Sequence, residues 1–206
     1  KKYLVTSEDT DKMDVQDCEY YEARAKAVKL EDITSSQQNA DILERLRDNA
    51  PYKQTHISIT DERQDDYYDF VVREGDNLGW LGYFVGRSKQ VKSLCIENFP
   101  DHPNIDGFLK GLGHNRSIQS LHINVNLGEH YQSFGPFLKK NINLRDLIFD
   151  NSVELDCAHN IALLLGQQSS LKCLNFEEAN LGDEMFVEMA AVLRKQPQIE
   201  ELNLSM

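Results

Sequence analysis

The chain has 206 residues, a net charge of −12, and 40% hydrophobic against 27% charged residues, a balance typical of a globular protein with a buried core. No apolar run approaches the roughly 20 residues that a membrane-spanning helix needs. Residues 1–76 hold 19 acids against 11 bases and residues 77–206 hold 15 against 11, which disfavours nucleic acid as a partner, because phosphate backbones need clustered Lys and Arg.

Residues 1–38 read as an acidic N-terminal arm, extended or partly ordered, with a helical turn or two possible around Tyr20-Tyr21-Glu22-Ala23-Arg24-Ala25. Lys1-Lys2-Tyr3-Leu4-Val5 carries neither an initiator methionine nor a signal-length apolar stretch, so a preceding segment is expected. Residues 39–90 read as a capping region. Ile42, Leu43 and Leu46 fall at helical spacing, with Ser35, Ser36 and Asn39 upstream as caps and Asn49-Ala50-Pro51 as a stop, which predicts a helix near 38–49. The alternation in His56-Ile57-Ser58-Ile59-Thr60 predicts the first strand of the sheet. Two helical pieces are expected next, one over Asp65 to Val72 and one over Leu78 to Val85, with aromatic residues from Tyr67 to Phe84 closing one end of the core.

From residue 91 the sequence repeats. Val91-x-x-Leu94-x-Ile96 is echoed by Ile118-x-x-Leu121-x-Ile123, Leu144-x-x-Leu147-x-Phe149, Leu171-x-x-Leu174-x-Phe176 and Ile199-x-x-Leu202-x-Leu204, and the central leucines advance by 27, 26, 27 and 28 residues. Helix-period stripes lie between them: Ile105, Phe108, Leu109 and Leu112; Phe186, Met189, Ala190 and Leu193; and, less regularly, Cys157, Ile161, Leu164 and Leu165, and Tyr131, Phe134, Phe137 and Leu138. A strand that returns through a helix runs parallel to its predecessor. The expected fold class is therefore α/β, a leucine-rich repeat solenoid in which a parallel sheet lines the concave face of a horseshoe and helices cover the convex face.

The run Leu171-x-x-Leu174-x-Phe176, Leu181-Gly182-Asp183-Glu184, Phe186-x-x-x-Ala190-x-x-Leu193 and Pro197-x-Ile199 resembles the ribonuclease-inhibitor-like subclass of leucine-rich repeat proteins. The resemblance extends over residues 91–206 and implies a curved α/β solenoid that binds proteins through its concave face and adjoining loops, with no common catalytic residue. One departure is plain. The asparagine usual in the turn after the strand is present as Asn126, whereas Phe99, Ser152 and Ala179 stand in the equivalent places.

If the core residues of each strand point one way, their neighbours point the other. Ser93, Ser120, Asp146, Cys173 and Glu201 then form one exposed row, Cys95, His122, Ile148, Asn175 and Asn203 a second, and Glu97, Asn124, Asp150, Glu177 and Ser205 a third. The candidate partner-binding residues are Glu97, His122, Asn124, Asp146, Ile148, Asp150, Asn175, Glu177, Glu201 and Asn203, among which Glu97, Asp150 and Glu177, reinforced by Asp146 and Glu201, form an acidic strip suited to a basic segment of a protein partner.

No G-x-S-x-G, P-loop, H-E-x-x-H or convergent His/Cys/Asp set is present, and Gly111-Leu112-Gly113 is too sparse to cradle phosphate. Cys95 beside His122 supplies two ligands, too few for a zinc site. No catalytic residue, metal or cofactor is expected. Scattered Cys18, Cys95, Cys157 and Cys173 fit reduced thiols of an intracellular, cytoplasmic protein.

The leading expectation is a non-catalytic interaction module or scaffold. The alternatives are a regulatory or sensor region of a larger enzyme or GTPase or ATPase regulator, and a structural subunit of an assembly. Because Ile199-x-x-Leu202-x-Leu204 is followed only by Ser205-Met206, further repeats or a partner are expected to cover that edge.

Overall fold

The computed structural model of the chain describes residues 19–50, 56–60, 69–97, 105–124, 137–149, 165, 170–176, 187, 190–191 and 193–203. Helix α1, Gln37–Arg47, starts where the Ser36 side chain accepts the Asn39 N–H, an N-cap of the expected kind. It stops at Asn49, whose φ of 49° is left-handed, while Asn49 N–H donates to Leu46 O and Ala50 N–H to Arg45 O. These two bonds satisfy carbonyls that the helix end would otherwise leave bare. Ile42, Leu43 and Leu46 are buried by this helix.

Seven strands follow: β1 His56–Thr60, β2 Asp69–Val71, β3 Ser93–Glu97, β4 Ser120–Asn124, β5 Asp146–Phe149, β6 Cys173–Asn175 and β7 Glu201–Asn203. They form one sheet in the order β2-β1-β3-β4-β5-β6-β7, parallel at every pairing. Ile57 lies opposite Leu94 and Ile59 opposite Ile96, the register that the repeat implied. The described residues also include a helical stretch at 19–24, helix α2, Leu78–Arg87, and helix α3, Ile105–Leu112. Among them no helix is long and apolar enough to cross a membrane.

Two expectations are corrected at this end of the sheet. Residues 69–71 are a strand, not part of a helix, and β2 rather than β1 occupies the sheet edge. Phe70 and the β-branched Val71 suit a strand, and the edge is completed from α1. Asn39 Nδ2 donates to Val71 O at 2.8 Å and its Oδ1 accepts from Val71 N at 3.1 Å, so one side-chain amide pairs like a neighbouring strand. Its Nδ2 also reaches Asp76 Oδ2 at 3.2 Å. A capped edge no longer templates pairing with another chain.

The core runs the length of the sheet on its helical side, from Ile33 and Leu43 through Ile57, Leu94, Leu121 and Leu147 to Leu174 and Phe176. All four residues of the Ile105, Phe108, Leu109 and Leu112 stripe are buried. Tyr21, Ala25 and Val28, within the stretch read as an acidic arm, pack against this core. Tyr21 stands edge-on to Trp80 at 4.7 Å and stacks on Tyr83 at 5.6 Å. Trp80, Tyr83 and Phe84 are therefore interior residues.

Among the described residues, a polar seam joins repeats just before β3, β4, β5 and β7. Asn115 is fully buried; its Nδ2 donates to Val85 O and Ser88 O, and its Oδ1 accepts the N–H groups of Ser117 and Ile118. Asn141, likewise buried, donates to Ile118 O and accepts from Asn143 N–H. Gln196 donates to Leu165 O, and Ser88 Oγ accepts from Gln90 and Val91 N–H. Each of these residues stands three positions before the first apolar residue of its repeat. Turns between helix and strand leave backbone groups that must be paired when buried, and this seam pairs them.

Candidate protein-binding face

Two of the three rows inferred from the repeat exist in register, and the third is described only at its first two members. Ser93, Ser120, Asp146, Cys173 and Glu201 are successive strand partners, and so are Cys95, His122, Ile148, Asn175 and Asn203. Glu97 pairs with Asn124. Asp150 and Glu177 lie outside the described residues, so the acidic strip is carried here by Glu97, Asp146 and Glu201.

Exposure along this face is graded. At the β2–β1–β3 end Asp69, Ser58, Thr60 and Cys95 are buried, Cys95 to 3% exposure, which corrects its expected place on a solvated surface. The Cys95 thiol lies 2.9 Å from Glu97 Oε1, whose side chain turns back toward it. From β4 onward the face opens: His122, Asn124, Asp146, Ile148, Cys173, Asn175 and Asn203 are half-buried and Glu201 is exposed. Leu202 is 45% exposed, although its counterparts Leu94, Leu121, Leu147 and Leu174 are fully buried.

The open part concentrates negative charge. Desolvation, then the nearby Glu201 carboxylate, raise the Asp146 pKa against a lowering by Arg145. Folding thus opposes ionisation of Asp146, a penalty relieved as pH falls through its folded-state pKa. Between these carboxylates, burial, then Asp146, then Glu201 push the Cys173 thiol up, which keeps it protonated and weakly nucleophilic. A cation supplied from outside would offset the repulsion between the two carboxylates.

No family model and no curated protein matches the chain. Its fold is nevertheless shared. The structure of leiomodin-1 actin-binding site 2 is similar with a TM-score of 0.57 at 22% identity, over 80% of this chain and 94% of that one. The tropomodulin C-terminal domain from Caenorhabditis elegans is similar with a TM-score of 0.52 at 13% identity, over 76% of this chain and 92% of that one. At these identities the likeness is one of fold: a parallel α/β sheet of leucine-rich-repeat type.

A cavity of about 800 Å³ lies where the strands begin and is lined by Arg87, Lys89, Lys92, His114 and Arg116 together with Glu22. Its cations come from the end of α2 and from the turns that follow α2 and α3, so no run in the sequence announces it. Several are committed to the fold: Arg87 pairs with Glu22 at 3.1 Å, Arg116 donates to the carbonyls of Gly113 and Asn115, and Lys92 donates to Lys89 O. This groove is therefore read as part of the seam between repeats.

Proposed function

We propose that the chain is a non-catalytic protein-binding module whose open sheet face docks a basic segment of a protein partner, and that this partner is actin. The observation that carries the reading is the registered, half-open row Asp146, Cys173 and Glu201, where like charges are held together with no cation between them in the row. Complementary charge from a partner would steer encounter and fix register there. Actin is assigned because one fold neighbour is named as an actin-binding site. In this reading the sheet curves as a horseshoe of the ribonuclease-inhibitor type, the docking face is its concave side, and the protein works inside the cell with Cys95 and Cys173 outside any disulfide.

The test is binding of purified actin, as monomer and as filament, by the wild-type chain and by Asp146→Lys/Glu201→Lys. Saturable binding that weakens by about tenfold or more in the double variant, with a flatter salt dependence, is expected for a charge-steered interface. Absence of binding removes actin as the partner, and equal affinity in the two proteins removes this face.

A further inference from the structure

Counting ligands along the sequence leaves Cys95 and His122 as a pair. The fold adds a third. Cys95 and His122 are cross-strand partners on β3 and β4, and Glu97, two residues along β3, returns to the same face. The Cys95 sulfur, a Glu97 carboxylate oxygen and a His122 ring nitrogen all lie within 4.8 Å of one another, the one such set among the described residues. We propose that these three side chains bind a zinc ion, with the fourth position open to solvent or to a ligand from another molecule.

The chemistry and the dimensions both fit. Zinc takes thiolate, imidazole and carboxylate ligands in tetrahedral geometry, and sites with three protein ligands keep one open position. With bond lengths of about 2.0–2.3 Å, ligand atoms around one ion stand roughly 3.3–3.6 Å apart. The present spread thus closes by about an ångström through side-chain rotation alone, because the strand pairing already fixes the three backbones. Magnesium and calcium prefer oxygen ligands in larger numbers, so a thiol and an imidazole at the centre select a softer ion. On binding, a zinc–sulfur bond forms and the thiol proton leaves to solvent; the contact of the thiol with Glu97, at 2.9 Å, opens to admit the ion. Cys95 is 3% exposed while Glu97 and His122 are half-buried, so the ion sits with sulfur beneath and its open position outward. The site does not rest on the actin reading, since the isolated chain suffices to bind metal.

The test uses the full 206-residue chain, titrated with Co²⁺ as a spectroscopic probe and then with Zn²⁺ in competition. The expected result is one tetrahedral site per chain with a thiolate-to-cobalt charge-transfer band that zinc displaces. The band should disappear in Cys95→Ser and persist when Cys18, Cys157 and Cys173 are replaced together by Ser. His122→Ala and Glu97→Gln, half-buried positions whose replacement leaves the core intact, should each weaken Zn²⁺ affinity by more than the roughly 10–100-fold typical of losing a supporting partner. No band in the wild-type chain, a band that survives Cys95→Ser, or affinities unchanged by His122→Ala and Glu97→Gln would overturn the site.

Discussion

Gly111→Ala is expected to lower stability, even though alanine is the better helix former by about 1 kcal/mol. Helices α2 and α3 meet backbone to backbone. A methyl group on Gly111 would stand 2.6 Å from Tyr83 N and 2.7 Å from Gly82 O, and one on Gly82 would stand 2.6 Å from Phe108 Cα. These obstacles are main-chain atoms inside helices, so relief requires a helix to move and to open the core beneath Trp80 and Phe108. Overpacking of this kind costs about 1–3 kcal/mol and outweighs the propensity gain. Each kcal/mol corresponds to roughly 2–4 °C in a domain of this size. Gly107→Ala is the internal control, because its nearest obstacle, Gly79 Cα, is 3.4 Å away. Thermal melts should show Gly111→Ala lowered by several degrees and Gly107→Ala level with the wild type or slightly raised. Equal melting of Gly111→Ala and the wild type would contradict the close helix contact.

Asn115→Leu should be costlier still. The replacement keeps the branched shape and the number of heavy atoms but removes the amide that accepts from Ser117 and Ile118 N–H at 2.7 and 2.8 Å and donates to Val85 O at 2.7 Å. The residue is fully buried, so water does not take over these bonds. A buried donor left unsatisfied costs about 1–3 kcal/mol, and two are orphaned here. A loss of about 3–5 kcal/mol in chemical denaturation is expected, against a small change for replacement of the exposed Ile142. A loss below 1 kcal/mol would mean that the seam between repeats is not bonded through Asn115.

The strands β3 to β7 were legible because each is built from a local pattern whose period recurs, and the α3 stripe because all its apolar residues share one face. The strand β2 was not. Its place depends on Asn39, 32 residues earlier in the chain, which supplies the partner for Val71, and no local periodicity encodes a bond between such distant residues. The seam escaped for a related reason. Asn115, Asn141 and Gln196 resemble ordinary loop residues, and the repeat family's usual asparagine, matched here by Asn126, belongs to the turn after the strand rather than the turn before it. A polar residue three positions ahead of Val91, Ile118, Leu144 and Ile199 was the available signal. On the candidate face, the alternation of strand residues yielded the rows and their register. It did not yield the burial of Cys95, nor the return of Glu97 toward it, because both are set by side-chain conformation rather than by strand position.

The open sheet face as the docking surface is tested most directly by carboxyl-group footprinting of the chain with and without bound actin. Modification of Asp146 and Glu201 should fall sharply in the complex, while Glu31 and Glu44, in and beside the helix that packs at the β2 end of the sheet and exposed by 77% and 58% at their side chains, should react as in the free chain. Protection confined to Glu31 and Glu44, with Asp146 and Glu201 as reactive as before, would contradict it.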